Sequence, residues 1–402
     1  MYHRSMQYIV IMLRKNDVDS YLYVFKGASK HWISLFLHQK FMTMTAQEFI
    51  LDSYNSTLEK GKVKWSSPSN IALVKYWGKR ENQIPENPSI SFTLSNCKTI
   101  TEVTYSKKTG NDFSFDVIFE GEKNEAFKPK IQTFFKRIEV YVPFLRDFHF
   151  SIATSNTFPH SSGIASSASG MSALALCLMS IEMELGADYT EEYFTKKASF
   201  LARLGSGSAC RSIEGELVVW GQNESTQSSD LFGIKFDGDL HANFKDFQDT
   251  ILLVDKGEKQ VSSTVGHKLM YGHPFAQERF KQAHENMDKL KSVFATGDLE
   301  NFVKIVESEA LTLHAMMMTS MPYFILMKPN TLEIINKIWA YRKANNSKVC
   351  FTLDAGANVH VLYPEQEKEA VLQFIKNELS DYCQNQQFIL DHVGNGAQLI
   401  KN

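Results

Sequence analysis

The feature that most constrains the fold of this chain is a run of small residues that leads straight into an apolar helix pattern. Segment 158–170 consists mainly of serine, alanine and glycine. Met171, Leu174 and Leu178 then recur at the spacing of one buried helical face. The unpaired N–H groups at the start of such a helix favour a bound anion, although a helix that is simply capped by serine shows the same letters. The chain contains neither GxxxxGK[ST] nor GxGxxG, which excludes a P-loop and a dinucleotide-binding loop.

Strand-like and helix-like segments mix along the rest of the chain, without internal repeats, and this predicts an α+β fold. Segments 89–94, 100–105 and 215–221 are strand-like. The second half is more helical, with predicted helices at 275–294 and 299–318. We place a boundary between two lobes near residue 245, so that residues 42–245 form the first lobe and residues 246–402 the second.

Composition limits the function classes that fit this chain. Its 43 basic and 45 acidic residues give a net charge of −2, without the basic face typical of nucleic-acid binders. No stretch approaches the roughly 18 apolar residues of a membrane span. The cysteines are scattered and form no CxxC pair, which is typical of free thiols in a reducing compartment and predicts a cytoplasmic protein. They are Cys97, Cys177, Cys210, Cys350 and Cys383.

The first 41 residues differ from the rest of the chain. Their short apolar run, 8–13, is followed at once by Arg14 and Lys15 and is too short for a secretory signal. Met42 and Met44 offer alternative starts. We therefore expect residues 1–41 to be an upstream extension of the reading frame or a poorly ordered tail.

A first candidate site lies in segment 69–80, where lysines and aromatic residues follow an apolar strand. Lys75 and Lys79 could neutralise a phosphate, with Tyr76 and Trp77 ordering the loop. A strand end with solvated lysines gives the same pattern, so both interpretations stay open.

A second candidate site is segment 203–212. Ser206, Ser208 and Arg211 on a glycine-punctuated stretch can hold a diphosphate, or a carboxylate in bidentate fashion. A turn followed by a helix explains these letters equally well. We interpret Cys210 as a packing residue, because no histidine accompanies it in a nucleophile arrangement.

A third candidate is Asp354, within segment 352–358. An aspartate at the end of an apolar strand can act as a base or orient a hydroxyl group. The alternative is an ordinary Asx turn.

Together and in this order, SNIALVKYWGKR, NPSISFTLS, the serine-rich loop and RLGSGSACRS resemble the mevalonate diphosphate decarboxylases of the GHMP small-molecule kinase superfamily. The resemblance runs from about Trp65 to Asn402. It implies the two-lobed GHMP kinase fold, with an N-terminal lobe like domain 2 of ribosomal protein S5 and an α/β-sandwich C-terminal lobe. The active site would lie in the cleft between these lobes.

The resemblance also implies residue roles. Asp354 would face the substrate 3-hydroxyl with Lys75 beside it, and Arg211 and Ser167 would complete the catalytic set. The implied substrate-binding residues are Tyr76, Trp77, Gly78, Lys79, Ser206, Gly207, Ser208, Ala209, Cys210, Arg211, Ser263 and Thr264. The implied ATP-binding residues are Ser161, Ser162, Gly163, Ile164, Ala165, Ser166 and Ser167. The family uses an arginine to bind the diphosphate, and this chain has no counterpart of it near 115–121. Lys107 or Lys108 could take its place.

The implied activity is ATP- and Mg²⁺-dependent decarboxylation of mevalonate 5-diphosphate by a homodimer, with no metal site built from protein side chains and no nucleic-acid or membrane partner. A close alternative is decarboxylation of the monophosphate. A relative that only phosphorylates the 3-hydroxyl is disfavoured, because Lys75 and Asp354 are both present. A non-catalytic binding homologue would need a damaged site, and the key residues are intact.

Overall fold

The computed structural model describes residues 8–15, 18–25, 38–39, 44–51, 53–159, 164–256 and 263–401. The chain forms two compact units, Met1–Glu48 and Phe49–Asn402. In the first unit, β1 (Tyr8–Lys15) pairs with β2 (Val18–Phe25), which pairs with β3 (His38–Gln39). These strands were not predicted from the sequence, although their β-branched and aromatic residues favour them. The origin of residues 1–41 stays a prediction.

The second unit contains two sheets. The larger has strand order β10-β9-β5-β8-β6-β7, and β4 pairs with both β5 and β15. Its strands are β4 (Lys60–Val74), β5 (Ser89–Lys107), β6 (Ser114–Phe119), β7 (Glu122–Lys123), β8 (Phe148–Asn156), β9 (Leu217–Trp220), β10 (Ile234–Lys235) and β15 (Gln398–Leu399). The smaller sheet, of order β12-β13-β11-β14, comprises β11 (Gln248–Leu252), β12 (Cys350–Thr352), β13 (Val359–Tyr363) and β14 (Phe388–His392).

Helices cover both sheets. They are α1 (Lys128–Ile138), α2 (Ser166–Glu184), α3 (Glu191–Gly205), α4 (Ser263–Lys268), α5 (Ala276–Thr296), α6 (Leu299–Met318), α7 (Pro329–Asn345) and α8 (Lys368–Phe374), the last continued by a π-helical turn at Ile375–Leu379. The predicted helix at 299–318 matches α6 at both ends. Asp298 caps that helix, because its carboxylate accepts the Asn301 N–H at 3.0 Å.

Strand β5 replaces two shorter predicted strands. The sequence predicts 89–94 and 100–105 separately, because Ser95 and Asn96 interrupt the apolar pattern. In the structure, the Asp391 carboxylate accepts the backbone N–H groups of Ser95, Asn96 and Cys97, each at 2.8 Å. A side chain from the far end of the sequence thus satisfies donors that would otherwise end the strand.

Helix α2 is long and apolar enough to cross a membrane by length and composition, contrary to the expectation that no stretch approaches this. Within the protein, 72% of its apolar window is buried. It packs on β4 and β5. This burial is that of a core helix, which is apolar all round because protein surrounds it.

One apolar cluster draws residues from both sides of the predicted lobe boundary. Phe92 of β5 packs against Phe247 and Phe302, with ring centroids 5.9 and 6.5 Å apart. The boundary near residue 245 stays a prediction. What the packing does show is a core shared by elements from both halves of the chain.

Candidate active site

The site centres on two residues that follow strand ends. Lys75 comes directly after β4, and Asp354 lies two residues after β12. Lys75 Nζ is 3.0 Å from Asp354 Oδ1. Burial lowers the pKa of the Lys75 ammonium, and the nearby Asp354 carboxylate opposes that shift. The structure thus joins a buried cation to a carboxylate that is 29% exposed and can reach a ligand.

A cavity of about 190 Å³ opens onto this pair. Among the described residues that line it, Lys75, Lys79, Lys130 and Arg211 are cationic and Asp354 is the carboxylate. The sequence-predicted residues that line it are Lys75, Tyr76, Trp77, Lys79, Ala165, Ser167, Ser206, Gly207, Ser208, Arg211 and Asp354. Such an excess of positive charge suits a phosphorylated, carboxylate-bearing ligand.

Arg211 is buried, and two serines at the start of β5 accept hydrogen bonds from its guanidinium. Its Nε donates to Ser91 Oγ at 2.5 Å, and its Nη1 donates to Ser89 Oγ at 2.6 Å. Burial lowers the pKa of its guanidinium. Ser89 and Ser91 belong to the NPSISFTLS segment, so the structure shows why this segment accompanies RLGSGSACRS: its serines orient the arginine.

Tyr76 presents a buried hydroxyl to the same region. Among the described residues its Oη has no hydrogen-bond partner, and burial raises the pKa of the phenol. A Cβ on Gly207 would lie 2.8 Å from that oxygen, so a glycine is required there. An unsatisfied buried hydroxyl in a polar cavity is suited to a ligand or a water molecule.

Three predicted substrate-binding residues, Gly78, Ala209 and Cys210, are not among the residues that line the cavity. Gly78 has φ of 98° and donates its N–H to His267 Nδ1 at 3.0 Å. Its role in the structure is therefore to turn the chain. Ala209 and Cys210 are buried in the short 3₁₀ helix Gly207–Ser212. Burial raises the pKa of the Cys210 thiol to about 12, so it is no nucleophile at neutral pH.

Lys79 lines the cavity and has a shifted pKa. Burial, followed by repulsion from Arg137 and Lys268, lowers the pKa of the Lys79 ammonium to about 8. Its Nζ donates to Gln83 Oε1 at 2.7 Å. A bound phosphate would favour the charged form of the Lys79 ammonium, because an opposite charge nearby offsets the burial and the repulsion.

The start of α2 lies beside Lys130. Ala165, in the left-handed region with φ of 45°, precedes Ser166 and Ser167. Ser167 Oγ is 2.9 Å from Lys130 Nζ and 3.1 Å from Ser206 Oγ. The helix N-terminus, a serine hydroxyl and a lysine thus converge on one point.

The remaining predicted ATP- and substrate-binding residues differ in their placement. Ile164 packs in the apolar core. Ser161, Ser162 and Gly163 lie outside the described residues, as do the side chains of Ser263 and Thr264, whose backbones begin α4.

A second cavity, of about 610 Å³, shares Lys79, Lys130, Ala165 and Ser167 with the first. Polar threonines and Asn156 line part of it. Its apolar lining includes Val117, Phe119, Ile131, Phe134, Ile152, Met171 and Leu174. A polar, cationic chamber therefore continues into a larger and mainly apolar one that starts at the serine-rich helix end.

Sequence reasoning missed Lys130 and Arg137, which add positive charge to the cavities. It looked for that charge at Lys107 or Lys108 instead. Lys107 and Lys108 line neither cavity: Lys107 pairs with Glu59 at 3.5 Å, and Lys108 Nζ donates to the Gly110 carbonyl. The spacing of Ile131, Phe134, Phe135 and Ile138 could have identified Lys130 and Arg137, because it predicts a helix with its polar residues on the other face.

These features define the class of protein. A two-lobed α+β fold places a serine-rich helix N-terminus beside a cation-lined cleft, as in enzymes of the GHMP kinase fold. The profile of the diphosphomevalonate decarboxylase-like N-terminal domain matches residues 67–231, and that of the mevalonate 5-diphosphate decarboxylase C-terminal domain matches residues 250–400. The chain belongs to the diphosphomevalonate decarboxylase family.

Individual relatives agree with this assignment. The chain is 31% identical over 323 residues to the diphosphomevalonate decarboxylase of Debaryomyces hansenii, covering 76% of this chain and 80% of the relative. A solved structure of MDDEF in complex with MVAPP, AMPPCP and magnesium is 29% identical, with a TM-score of 0.73, over 85% of this chain and 100% of that one. The mevalonate diphosphate decarboxylase of Staphylococcus aureus is 26% identical, also with a TM-score of 0.73, over 85% and 98%.

Proposed function

We propose that the cleft around Lys75 and Asp354 is the site of ATP-dependent decarboxylation of mevalonate 5-diphosphate. The reaction converts (R)-mevalonate 5-diphosphate and ATP into isopentenyl diphosphate, ADP, phosphate and CO₂. The observation that carries this proposal is the 3.0 Å contact between Lys75 Nζ and Asp354 Oδ1, in a cavity that Lys79, Lys130 and Arg211 also line. A carboxylate and a lysine placed in this way can handle the hydroxyl proton of a highly charged substrate.

The second cavity is suited to the nucleotide. Its 610 Å³ volume and its apolar lining fit a heterocyclic base, and the N-terminus of α2 with Ser166 and Ser167 fits the phosphates. Among the described residues, no cluster of three His, Cys, Asp or Glu side chains could hold a metal. Magnesium would be carried by the nucleotide phosphates, and the hydroxyls of Ser166 and Ser167 at the start of α2 would help to hold it. When bound there, it offsets the charge that accumulates during phosphoryl transfer.

Phosphate binding divides between the two cavities. Ser206, Ser208 and Arg211 line the smaller cavity and Lys79 lines both, and we assign the substrate diphosphate to Lys79, Ser206 and Ser208. Lys130 lines both cavities, so it is placed to contact phosphates of either ligand. Arg211, oriented by its two serines, is assigned to the substrate carboxylate.

The chemistry then follows from the central pair. A tertiary hydroxyl is a poor leaving group, so it must first become a phosphate ester. Asp354 orients the 3-hydroxyl and accepts its proton as the oxygen attacks the γ-phosphoryl group, while Lys75 offsets negative charge at that oxygen. When the C3–O bond breaks, the proton on Asp354 passes to the departing phosphate, and the regenerated Asp354 carboxylate stabilises the positive charge at C3. The C1–C2 bond electrons then form the alkene, and CO₂ departs.

A cytoplasmic location and a homodimeric state are further parts of the proposal. All five cysteines are buried free thiols, which supports a reducing compartment. Size-exclusion chromatography with light scattering measures the oligomeric state, and a monomer at micromolar concentration would contradict the second part.

A panel of three substrates tests the proposed function. Mevalonate 5-diphosphate, mevalonate 5-phosphate and mevalonate are each supplied with ATP and magnesium, and ADP and CO₂ are both followed. We expect stoichiometric ADP and CO₂ from the diphosphate. CO₂ from the monophosphate alone, ADP without CO₂, or no product would each overturn the assignment.

A further inference from the structure

Helix α6 contacts the main chain at both members of the central pair. Glu309 Oε2 accepts the Lys75 N–H at 2.9 Å, and His314 Nε2 lies 3.1 Å from the carbonyl oxygen of Asp354. We propose that Glu309 and His314 are positioning residues through which α6 aligns Lys75 with Asp354. This inference rests on the proposed role of that pair.

On the lysine side, a buried ion pair holds the peptide groups that flank the Lys75 side chain. The Glu309 carboxylate accepts hydrogen bonds from Arg279 Nη2 at 2.6 Å, from Arg279 Nη1 at 3.2 Å and from Asn286 Nδ2 at 2.7 Å. Arg279 Nη2 also donates to the Lys75 carbonyl at 2.9 Å, and Asn87 Nδ2 donates to the same oxygen at 2.9 Å. Both polar groups of the Lys75 backbone are therefore held in a site where Arg279 and Glu309 are fully buried.

On the aspartate side, His314 acts as a donor. A backbone carbonyl can only accept, so the His314 Nε2 must carry the proton. Burial lowers the pKa of this imidazole to about 4, which keeps it neutral at physiological pH. The Asp354 carbonyl also accepts the Gly356 N–H at 2.7 Å. Asp354 lies in a loop beyond β12, so such backbone contacts decide where its carboxylate lies.

The geometry of α6 explains why one helix serves both residues. It packs on β4, which leads to Lys75, and on β12, which leads to Asp354. Neither Glu309 nor His314 is among the residues that line the cavities, so neither is placed to touch substrate. Their effect has to be on alignment, and a misplacement of about 1 Å can cost on the order of 10²-fold in rate.

The test compares His314→Leu, which removes the donor, with His314→Gln, whose amide restores one. The matched control is His273→Leu. His273 is another buried histidine, with its Nε2 3.2 Å from a carbonyl of α6, that of Met316. Its hydrogen bonds in the described part of the chain go to Met316, Thr319 and Phe275, and not to the central pair. We expect His314→Leu to lose about 10- to 100-fold in kcat with KM nearly unchanged, since only alignment is affected. His314→Gln should recover most of kcat, and His273→Leu should keep it.

A double-mutant cycle with Asp354→Asn separates the possible failures. If His314 acts through Asp354, the His314→Leu effect on kcat disappears in the Asp354→Asn background. A severe Asp354→Asn defect with normal kcat in His314→Leu overturns this inference alone. Equal kcat losses in His314→Leu and His273→Leu, tracking their Tm values, overturn it too. Near-normal turnover of Asp354→Asn overturns the proposed function itself.

The Glu309 half of the inference needs a variant that leaves no buried charge unpaired. Combining Arg279→Met with Glu309→Leu meets this condition, because apolar replacement of a buried ion pair is often neutral for stability. We expect a folded protein with a wild-type-like circular dichroism spectrum and a kcat lowered at least 10-fold. A folded double variant with unchanged kcat overturns the role of Glu309.

Discussion

At the residue scale, the site depends on how a few charges are placed. The carboxylate of Asp354 is the acidic member of a cleft lined by lysines and an arginine. Its Oδ1 lies 3.0 Å from Lys75 Nζ, so the carboxylate is held against a buried cation while 29% of its side chain stays exposed. Its neutral isostere therefore tests its chemistry with little change in shape.

We expect Asp354→Asn to lower kcat by about 10²–10⁴-fold, the usual contribution of a positioned acid–base group. The fold should persist, because Asn keeps the size of the side chain and the backbone carbonyl bonded by His314. Steady-state release of ADP and CO₂ measures kcat, with circular dichroism as the structural check. A kcat within threefold of wild type would rule out the mechanism.

Lys79 makes substrate affinity depend on pH. Because the pKa of its ammonium is lowered to about 8, the charge is present below pH 8 and is lost above it. We expect KM for mevalonate 5-diphosphate to rise between pH 7 and pH 9. Lys79→Arg should flatten this rise, since a guanidinium stays protonated throughout the range. Identical pH profiles for the two proteins would contradict the assignment of Lys79 to phosphate.

At the element scale, helix α1 closes the larger cavity and adds charge to both. Its apolar face packs inward through Phe134 and Phe135, while Lys130 reaches Ser167 at the start of α2. The contact joins two consecutive helices through residues that are 37 positions apart in sequence.

We expect Lys130→Met to raise KM for ATP or for mevalonate 5-diphosphate by about tenfold, as for the loss of one charge-assisted hydrogen bond. The matched control is Lys128→Met on the same helix. Lys128 pairs with Glu125 at 3.0 Å and with Asp116 at 3.4 Å, and it lines neither cavity. Equal KM values for the two variants would remove Lys130 from the site.

At the scale of the whole molecule, the C-terminal segment closes the fold. Gly394 N–H donates to the Thr93 carbonyl at 2.8 Å, and Ala397 N–H donates to that of Ile213 at 2.9 Å. Strand β15 then pairs with β4, with Leu399 opposite Trp65. Residues near the end of the chain thus complete a sheet formed by the first half.

Gly396 makes this closure possible. A Cβ there would lie 2.5 Å from the Ile213 carbonyl oxygen and 2.7 Å from the Glu214 carbonyl carbon. We expect Gly396→Val to cost about 1–3 kcal/mol of unfolding free energy, the usual range for overpacking. Thermal denaturation measures the loss, and Asn395→Val at the exposed neighbouring position is the control. Equal Tm values for both variants would contradict the close approach.

The sequence by itself determined several of the local elements and the chemical character of the site. The 3.6-residue spacing of apolar residues predicted α6 to the residue. The serine-rich run indicated the region where α2 begins, although the helix starts at Ser166, within the run, and not after Gly170. These features follow from periodicity and helix capping, which depend on neighbours within a few positions. Short motifs marked Lys75, Arg211 and Asp354 as candidates, and the family resemblance implied their roles.

Only the tertiary structure decided which residues share the cleft. It placed Lys130 beside Ser167, turned Ala209 and Cys210 into the core, and brought Glu309 to the Lys75 backbone. Lys75 and Asp354 are 279 positions apart, and no local pattern records a contact at that distance. Such contacts arise when sheets and helices bury their apolar faces together, because the packing then sets where the polar side chains at the element ends meet.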